Sequence, residues 1–144
     1  MQRSDLIINK KEVVVGGGCV VAEHPLAAEV GAKVLAEGGN AVDAAVATAF
    51  AVGVVEPMMS GVGGGGGLLL HLAKEGRNIG IEFLPRAPLA ARADMFELDP
   101  QRKASGIFSF PAVEDDANLY GHQSVGVPGT VAGLCMALEK YGTW

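Results

Sequence analysis

The sequence lacks the features that mark nucleic-acid-binding and disulfide-rich proteins. It has 11 Lys and Arg against 16 Asp and Glu, which gives a formal net charge of −5, and no basic stripe is visible. Because a nucleic-acid surface needs clustered positive charge, we expect no nucleic-acid partner. There are only 2 cysteines, too few for a disulfide framework. Cys19 and Cys135 are therefore predicted to be small buried hydrophobic residues.

Neither a membrane span nor a secretory leader is visible. The longest apolar stretch, Ala41 to Val55, contains Asp43 and Thr48 and is shorter than the roughly 20 residues that a membrane helix needs. The N-terminus "MQRSDLIINKKEVVV" lacks the basic, apolar and small-residue order of a signal peptide. We therefore expect a cytoplasmic protein with no membrane partner.

Metal-binding patterns are also missing. The three histidines, His24, His71 and His122, do not share the spacing of metal ligands, so we expect no metal cofactor. His24 precedes an apolar helical pattern and is predicted to cap it. His71 lies in an apolar run and is predicted to pack in a strand.

What the sequence does have is a globular composition rich in small residues. Hydrophobic residues make up 49% and charged residues 19% of the 144 positions, enough for one domain with a core. Two consecutive helices are predicted early in the chain. The first begins at Pro25 and stops at the Gly38–Gly39 pair, and Gly31 inside it implies close packing there. The second begins after Asn40, a good N-cap, and ends at the "EP" pair.

The remaining elements are predicted from shorter patterns. Val13 to Val15 is a β-branched run typical of a strand, and residues 68–72 and 79–83 predict a hairpin around a polar turn. Residues 99–122 have no periodicity and predict a long excursion, of the kind that is often functional. A last helix is predicted from Pro128, and its expected buried stripe is Val131, Leu134, Cys135 and Leu138.

A dense glycine run, Gly61 and Gly63 to Gly67, follows the second helix. It matches G-x-G-x-x-G, but a dinucleotide fingerprint needs a strand before the run and a helix after it, and here the order is reversed. No G-K-[ST] ends the run, which excludes a P-loop. The earlier Gly16 to Gly18 would need a glycine where Val21 stands. Two compatible interpretations remain: a close crossing between helix and strand, or the floor of a pocket. Asp43 is predicted to be a helix-start carboxylate, with the alternative that it holds this glycine loop.

One long stretch resembles the signature of the γ-glutamyltranspeptidase family. "GGNAVDAAVATAFAVGVVEPMMSGVGGGG" matches that family's GGNA-x-DAA helix, V-x-EP turn and SG-x-GGG loop. "AP" at 87–88, "DMF" at 94–96 and "SVGVPGTVAGLCMALEKYG" agree in order and spacing. The resemblance implies an α/β (α+β) fold, part of the four-layer αββα sandwich of N-terminal nucleophile hydrolases. It also implies that residues 13–144 are an incomplete N-terminal segment of the large subunit, preceded by an extension at 1–12.

The resemblance implies an activity that this segment does not complete. Family members cut themselves into a large and a small subunit, and the new N-terminal Thr of the small subunit attacks a γ-glutamyl amide. The implied partners are a small-molecule γ-glutamyl or acyl amide, the rest of the large subunit and the small subunit, with no cofactor. Thr48, Thr130 and Thr143 do not match the nucleophile motif, so no catalytic residue is expected here. The alternative is an inactive family member that acts as a binding or structural subunit.

One position departs from the family's pattern. Family transpeptidases carry an Arg in D-x-R-E-x-AP that pairs with the substrate α-carboxylate, as the guanidinium fork suits. This chain has "EFLPRAP", so Leu84 occupies that position and Arg86 follows two residues later. In an extended segment those two residues share a face. Arg86 is therefore the candidate substrate-binding residue, with a solvated or structural arginine as the alternative, and the departure resembles the family's acylase-like members.

Overall fold

The computed structural model describes residues 12–104 and 109–144. The predicted N-terminal extension lies outside these residues, apart from Glu12. Two helices come first, then an antiparallel hairpin, then an irregular excursion with two single-turn 3-10 helices, and finally a third helix. The bounds are α1 Pro25–Ala36, α2 Ala41–Val55, β1 Gly67–Leu72, β2 Arg77–Glu82, the 3-10 turns Glu114–Asp116 and His122–Ser124, and α3 Thr130–Tyr141.

The start of α1 and its packing on α2 follow the sequence prediction. Nδ1 of His24 accepts a hydrogen bond from the Leu26 N–H at 3.2 Å, and Pro25 takes the first helical position. Gly31 is buried, and a Cβ added to it would overlap Oγ1 of Thr48 on α2. The glycine is therefore required for the close approach of the two helices.

The start of α2 is a reciprocal capping box. Oδ1 of Asn40 accepts from the N–H groups of Val42 at 2.8 Å and Asp43 at 3.1 Å. Oδ2 of Asp43 accepts from the Asn40 N–H at 2.8 Å. Three N–H groups at the helix start are thereby satisfied, and the predicted roles of Asn40 as N-cap and of Asp43 as a helix-start carboxylate are confirmed.

The hairpin packs one face against α2 and α3. Its register pairs Gly67 with Glu82 and Leu72 with Arg77, which confirms the predicted hairpin. Leu68 and Leu70 are half-buried towards the helices, whereas Leu69 on the opposite face is 84% exposed. Strand alternation thus covers one face of the sheet with the core. That core is built from Val42, Val46, Leu134 and Ala137.

Two sequence predictions about local structure are wrong. Val13 to Val15 form no strand, and Val14 is 86% exposed. A strand needs a hydrogen-bonded neighbour, and no described residue pairs with this segment in a sheet. Both cysteines are exposed rather than buried. Cys135 lies on the solvent side of α3, because that helix packs through other residues.

The third helix begins later and packs through smaller side chains than the pattern indicated. It starts at Thr130 after Gly129, so Pro128 precedes the helix. Its buried positions are Gly133, Leu134 and Ala137, whereas Val131 is 45% exposed. The Phe83 ring occupies the space above Gly133, so the small residues define the contact face.

Arg102 cross-links the excursion between β2 and α3, beside the backbone bridge of Leu98 with Val113. Arg102 donates from Nε to Asp99 at 2.9 Å, from Nη2 to Asp116 at 2.9 Å, and also to the Val113 carbonyl. Its guanidinium lowers the pKa of Asp116 by hydrogen bonding. The described residues of the excursion form turns, isolated bridges and the two short 3-10 helices, with no α-helix or strand, which confirms the prediction of an aperiodic segment. No helix among residues 12–104 and 109–144 is long and apolar enough to cross a membrane.

Candidate functional site

The glycine run lets backbone segments approach one another closely. A Cβ on Gly53 of α2 would lie 3.3 Å from Cα of Gly61 in the loop. A Cβ on Gly65 would lie 2.5 Å from the Phe83 carbonyl oxygen and 2.8 Å from the Pro85 nitrogen. Real Cβ atoms do not tolerate the latter distances, so position 65 admits only glycine without a backbone shift. Helix α2 precedes the run and strand β1 follows it. This order confirms the prediction and is the reverse of the order in a dinucleotide fingerprint.

The same loop borders a cavity of about 690 Å³. Its wall is formed by α2, the glycine loop, Phe83 at the end of the hairpin, and the start of α3. None of the described residues that line it is charged. Close packing and a pocket floor are therefore both properties of this loop. The lining residues are Ala45, Ala49, Pro57 to Gly61, Gly63 to Gly65, Gly67, Leu68, Phe83, Thr130 and Leu134.

Gly64 joins the loop to the start of α3. Its carbonyl oxygen accepts from the N–H of Gly129 at 2.9 Å and from the N–H of Thr130 at 3.2 Å. No side chain caps α3, so the loop carbonyl satisfies part of the helix start instead. A Cβ on Gly129 would overlap the Phe83 carbonyl, so the close approach also requires glycine at position 129.

Arg86 lies outside the glycine-loop cavity. Its backbone pairs with Val127, donating at 3.1 Å and accepting at 2.8 Å, and it lines a second cavity of about 290 Å³. Leu84 is 55% exposed. The structure thus brings Arg86 together with the chain that precedes α3, and separates it from the lining of the glycine-loop cavity.

The second cavity combines amide side chains with an apolar wall. Asn118, Gln123 and Ser124 lie with Arg86 on its lining, and none of the described lining residues is Asp or Glu. Oδ1 of Asn118 is shielded from solvent and has no hydrogen-bond donor among the described residues. The apolar lining comprises Pro85, Ala87, Pro88, Ala91, Met95, Phe96, Val125 and Gly126.

Sequence reasoning missed the two amides of this cavity. Asn118 and Gln123 belong to the excursion, which has neither periodicity nor a recognisable motif. They line the same cavity as Arg86 because the chain returns antiparallel to the Arg86 segment at Val127. The only signal in the sequence was the length of the excursion, which favours a functional loop without identifying residues.

Asp43 does not hold the glycine loop. Besides capping α2, its carboxylate accepts from the Thr143 N–H and hydroxyl, both at 3.0 Å, directly after α3. Burial raises the pKa of Asp43, but the hydrogen bonds from Asn40 and Thr143 together lower it by more than burial raises it. The net pKa therefore lies below its ordinary value of 3.8. The helix-start role is confirmed, and the alternative role at the loop is wrong.

A pair of carboxyl groups lies near the other end of α2. A hydrogen bond shared with the Glu23 carboxyl, together with burial, raises the pKa of Glu56. Oε2 of Glu56 is shielded from solvent and has no hydrogen-bond partner among the described residues. His24, close enough to lower that pKa slightly, completes this group.

No described part of the chain gathers metal ligands. Residues 12–104 and 109–144 contain no group of three or more His, Cys, Asp or Glu side chains suited to a metal ion. His71 is exposed and its Nδ1 lies 2.7 Å from Oδ1 of Asn78 across the hairpin. His71 lies in β1, but the prediction that its side chain packs there is wrong, because that side chain is exposed.

Comparison with known proteins decides the family. The model of the family described as gamma-glutamyltranspeptidase matches residues 27–144. The chain belongs to the γ-glutamyltranspeptidase family. It is 49% identical over 134 residues to the glutathione hydrolase proenzyme of Bacillus subtilis (strain 168), covering 92% of this chain and 21% of that protein. It is 43% identical over 140 residues to the acylase ACY 1 proenzyme of Pseudomonas sp. (strain V22), covering 97% of this chain and 24% of that protein.

A solved γ-glutamyltranspeptidase shares the fold of this chain. The enzyme from Helicobacter pylori superposes with a TM-score of 0.78 at 44% identity, covering 93% of this chain and 35% of that one. The predicted α/β (α+β) class and the N-terminal nucleophile hydrolase fold are thereby confirmed for the part present. The chain spans about a fifth of the length of the curated γ-glutamyltranspeptidase relatives that it matches.

Proposed function

We propose that this chain is part of an amidohydrolase or acyltransferase that cleaves γ-glutamyl or related acyl amides. The observation that carries the proposal is the family match over residues 27–144, with one relative 49% identical. In the proposed reaction, the hydroxyl oxygen of a Thr outside this segment attacks the amide carbonyl. The C–N bond breaks, the amine leaves with a proton, and water or an acceptor amine then cleaves the acyl-enzyme ester.

The proposed contribution of residues 13–144 is structural and substrate-binding. They form the N-terminal segment of a large subunit, and their partners are the rest of that subunit and the small subunit. The proenzyme names of two relatives support a precursor that is processed. In this proposal α1 and α2 are scaffold, and the glycine loop closes the packing between α2, β2 and α3.

Arg86 is the proposed substrate contact of this segment. It stands two residues after Leu84, which occupies the position of the carboxylate-binding Arg expected from the family resemblance. Its position on a 290 Å³ cavity supports a binding role. A guanidinium there would pair with a substrate carboxylate through charge-assisted hydrogen bonds. The shift from position 84 to 86 favours acyl groups other than a strict γ-glutamyl group.

The test is an assay of the whole protein that carries this chain. We expect the precursor to divide into two fragments on a denaturing gel and to hydrolyse γ-glutamyl or dicarboxylic-acyl anilides. Arg86→Ala should raise KM by about tenfold to hundredfold, as loss of a hydrogen bond to a charged group implies. Arg92→Ala, whose side chain pairs with Asp94 at the surface, is the matched control. Unchanged kinetics in Arg86→Ala would remove Arg86 from the pocket.

The alternative is an inactive family member that serves as a binding or structural subunit. It predicts an undivided precursor and no turnover of any amide, with folding intact by circular dichroism. Either a cleaved precursor or measurable turnover contradicts this alternative.

A further inference from the structure

Phe83, directly after β2, lies between the glycine loop and α3. Its ring packs against the core of α2 and α3 residues and also lines the glycine-loop cavity. A Cβ added to Gly133 of α3 would overlap this ring, and a Cβ added to Gly66 of the loop would lie 3.1 Å from its Cε2 atom. The ring therefore fills a space that two glycines leave open, one on each side.

The backbone of Phe83 is held from the same two sides. Its N–H donates to the Gly66 carbonyl at 2.9 Å, and its own carbonyl accepts from the Gly66 N–H at 3.4 Å. A Cβ on Gly65 would lie 2.5 Å from the Phe83 carbonyl oxygen, and a Cβ on Gly129 would overlap that oxygen. The loop and the chain that enters α3 thus close on one peptide group, which leaves this group little freedom to move.

The segment from Phe83 to Arg86 borders both cavities. Phe83 lines the glycine-loop cavity, whereas Pro85 and Arg86 line the second cavity. Arg86 and Val127 exchange two backbone hydrogen bonds, and Gly129, just after Val127, donates its N–H to the glycine loop. Both partners of this bridge therefore stand only a few residues from the contacts around Phe83. A shift of Phe83 must be passed to Arg86 through this short, bridged segment.

We propose, resting on the proposed function, that Phe83 is a positioning residue for the substrate contact at Arg86. The ring and the carbonyl of Phe83 set the point at which the chain leaves β2, and the following residues carry that position to the guanidinium. Phe83 takes no part in the bond changes. Its replacement by a smaller side chain therefore weakens substrate binding and leaves the chemical step intact.

The first test compares kinetics in two backgrounds of the whole protein that carries this chain. Phe83→Leu, Arg86→Ala and the double variant are assayed with a γ-glutamyl or dicarboxylic-acyl anilide. Phe83→Leu should raise KM by about tenfold, the lower limit for loss of a hydrogen bond to a charged group. The value of kcat should stay unchanged, because the reacting groups are not disturbed. In the Arg86→Ala background, Phe83→Leu should not raise KM further, because the two residues act through one contact.

Leu70→Val is the matched control for a loss of core packing. Leu70 packs against the same core, but it pairs with Ile79, several residues before the end of the hairpin that leads to Arg86. It should lower the melting temperature and leave KM unchanged. The proposal is overturned if Leu70→Val raises KM as much as Phe83→Leu does. It is also overturned if Phe83→Leu raises KM by the same factor with and without the Arg86 side chain.

Gly126→Ala displaces the same segment from its other side. A Cβ there would lie 3.3 Å from the Arg86 carbonyl oxygen and 3.3 Å from Cβ of Pro85, with no Phe83 atom within 4 Å. KM should rise in this variant, and the rise should again disappear in the Arg86→Ala background. A rise with Gly126→Ala but not with Phe83→Leu would show that the segment matters and that Phe83 does not set its position. That result would overturn the proposal.

Hydrogen exchange supplies a readout that does not depend on turnover. The N–H groups of Arg86 and Val127 donate in the bridge at 3.1 and 2.8 Å. In peptides that contain them, Phe83→Leu should speed exchange by about fivefold or more relative to α1, whereas Leu70→Val should not. Unchanged exchange in these peptides would overturn the proposal whatever the kinetics.

The two readouts separate failure of this proposal from failure of the proposed function. If Arg86→Ala raises KM and Phe83→Leu does not, only the positioning role is wrong. If neither variant changes KM, the substrate contact at Arg86 is refuted and the positioning role falls with it. Faster exchange in a protein without any turnover would refute the proposed enzyme and support the placement of the Arg86 segment by Phe83.

Discussion

The carboxylate of Asp43 receives two hydrogen bonds of 3.0 Å from Thr143, which lies 100 residues later. The same side chain caps the start of α2 through the Asn40 N–H. The amide of Asn40 in turn donates to the Tyr141 carbonyl at 2.7 Å. Asp43 and Asn40 therefore connect the N-terminal end of α2 to the C-terminal end of α3.

We expect Asp43→Ala to destabilise the protein more than an ordinary cap deletion. Asp43 is 3% exposed, and its removal leaves the N–H groups of Asn40 and Thr143 without their acceptor. Loss of hydrogen bonds to a buried charged group costs about 1.5 to 3 kcal/mol. The measurement is the free energy of unfolding in urea. Asp94→Ala, which removes an exposed carboxylate, should leave that energy nearly unchanged, and an equal loss in both variants would contradict the role of the connection.

Acid should weaken this connection in a predictable direction. The net pKa of Asp43 is below its ordinary value of 3.8, although burial alone raises it. A carboxyl group with a lowered folded-state pKa contributes stability in full above its unfolded pKa. That contribution is lost as the pH falls through the folded-state pKa. Melting temperatures measured from neutral pH to below 3.8 should therefore fall less steeply in Asp43→Asn than in the wild type. If the melting temperatures of the two proteins fall in parallel at low pH, Asp43 does not contribute to the acid sensitivity of the fold.

Gly133→Ala should destabilise the packing of α3 on the hairpin. A Cβ at position 133 would overlap the Phe83 ring, and overpacking of this kind costs about 1 to 3 kcal/mol. Gly80→Ala is the control, because a Cβ there meets nothing within 4 Å. The double variant Gly133→Ala/Phe83→Leu should lower the melting temperature by less than the two single variants do when their effects are added. Strict additivity would show that the two residues do not compete for space.

Arg102→Gln should loosen the excursion without unfolding the core. The guanidinium joins Asp99, Asp116 and the Val113 carbonyl, whereas the core lies between α2, the hairpin and α3. We expect faster proteolytic cleavage between residues 99 and 124 and a nearly unchanged melting temperature. Arg92→Gln removes a comparable surface arginine and should not change the cleavage rate. Equal cleavage rates for Arg102→Gln and the wild type would contradict the proposed role of the guanidinium.

Local patterns in the sequence determined most of the secondary structure. The Asn40 and Asp43 spacing specified the capping box, and the two apolar runs around a glycine-containing turn specified the hairpin. These features depend on residues that lie close together along the chain, so a single sequence contains the necessary information. The family signature likewise lies in one continuous stretch, which is why the resemblance was visible from the residues alone.

The tertiary structure decided which residues meet across the chain. Asp43 was correctly placed at a helix start, yet its second partner, Thr143, was set by the packing of α3 beside α2. Arg86 was chosen from the sequence, but the amides of Asn118 and Gln123 reach its cavity only because the excursion returns at Val127. The buried face of α3 was predicted only in part: Leu134 and Leu138 pack in the core, but Val131 and Cys135 are exposed, and the Phe83 ring packs over Gly133 instead. Periodicity specifies which residues are neighbours along the chain. Contacts between distant segments depend on the packing of their side chains and on the close approach that glycines permit.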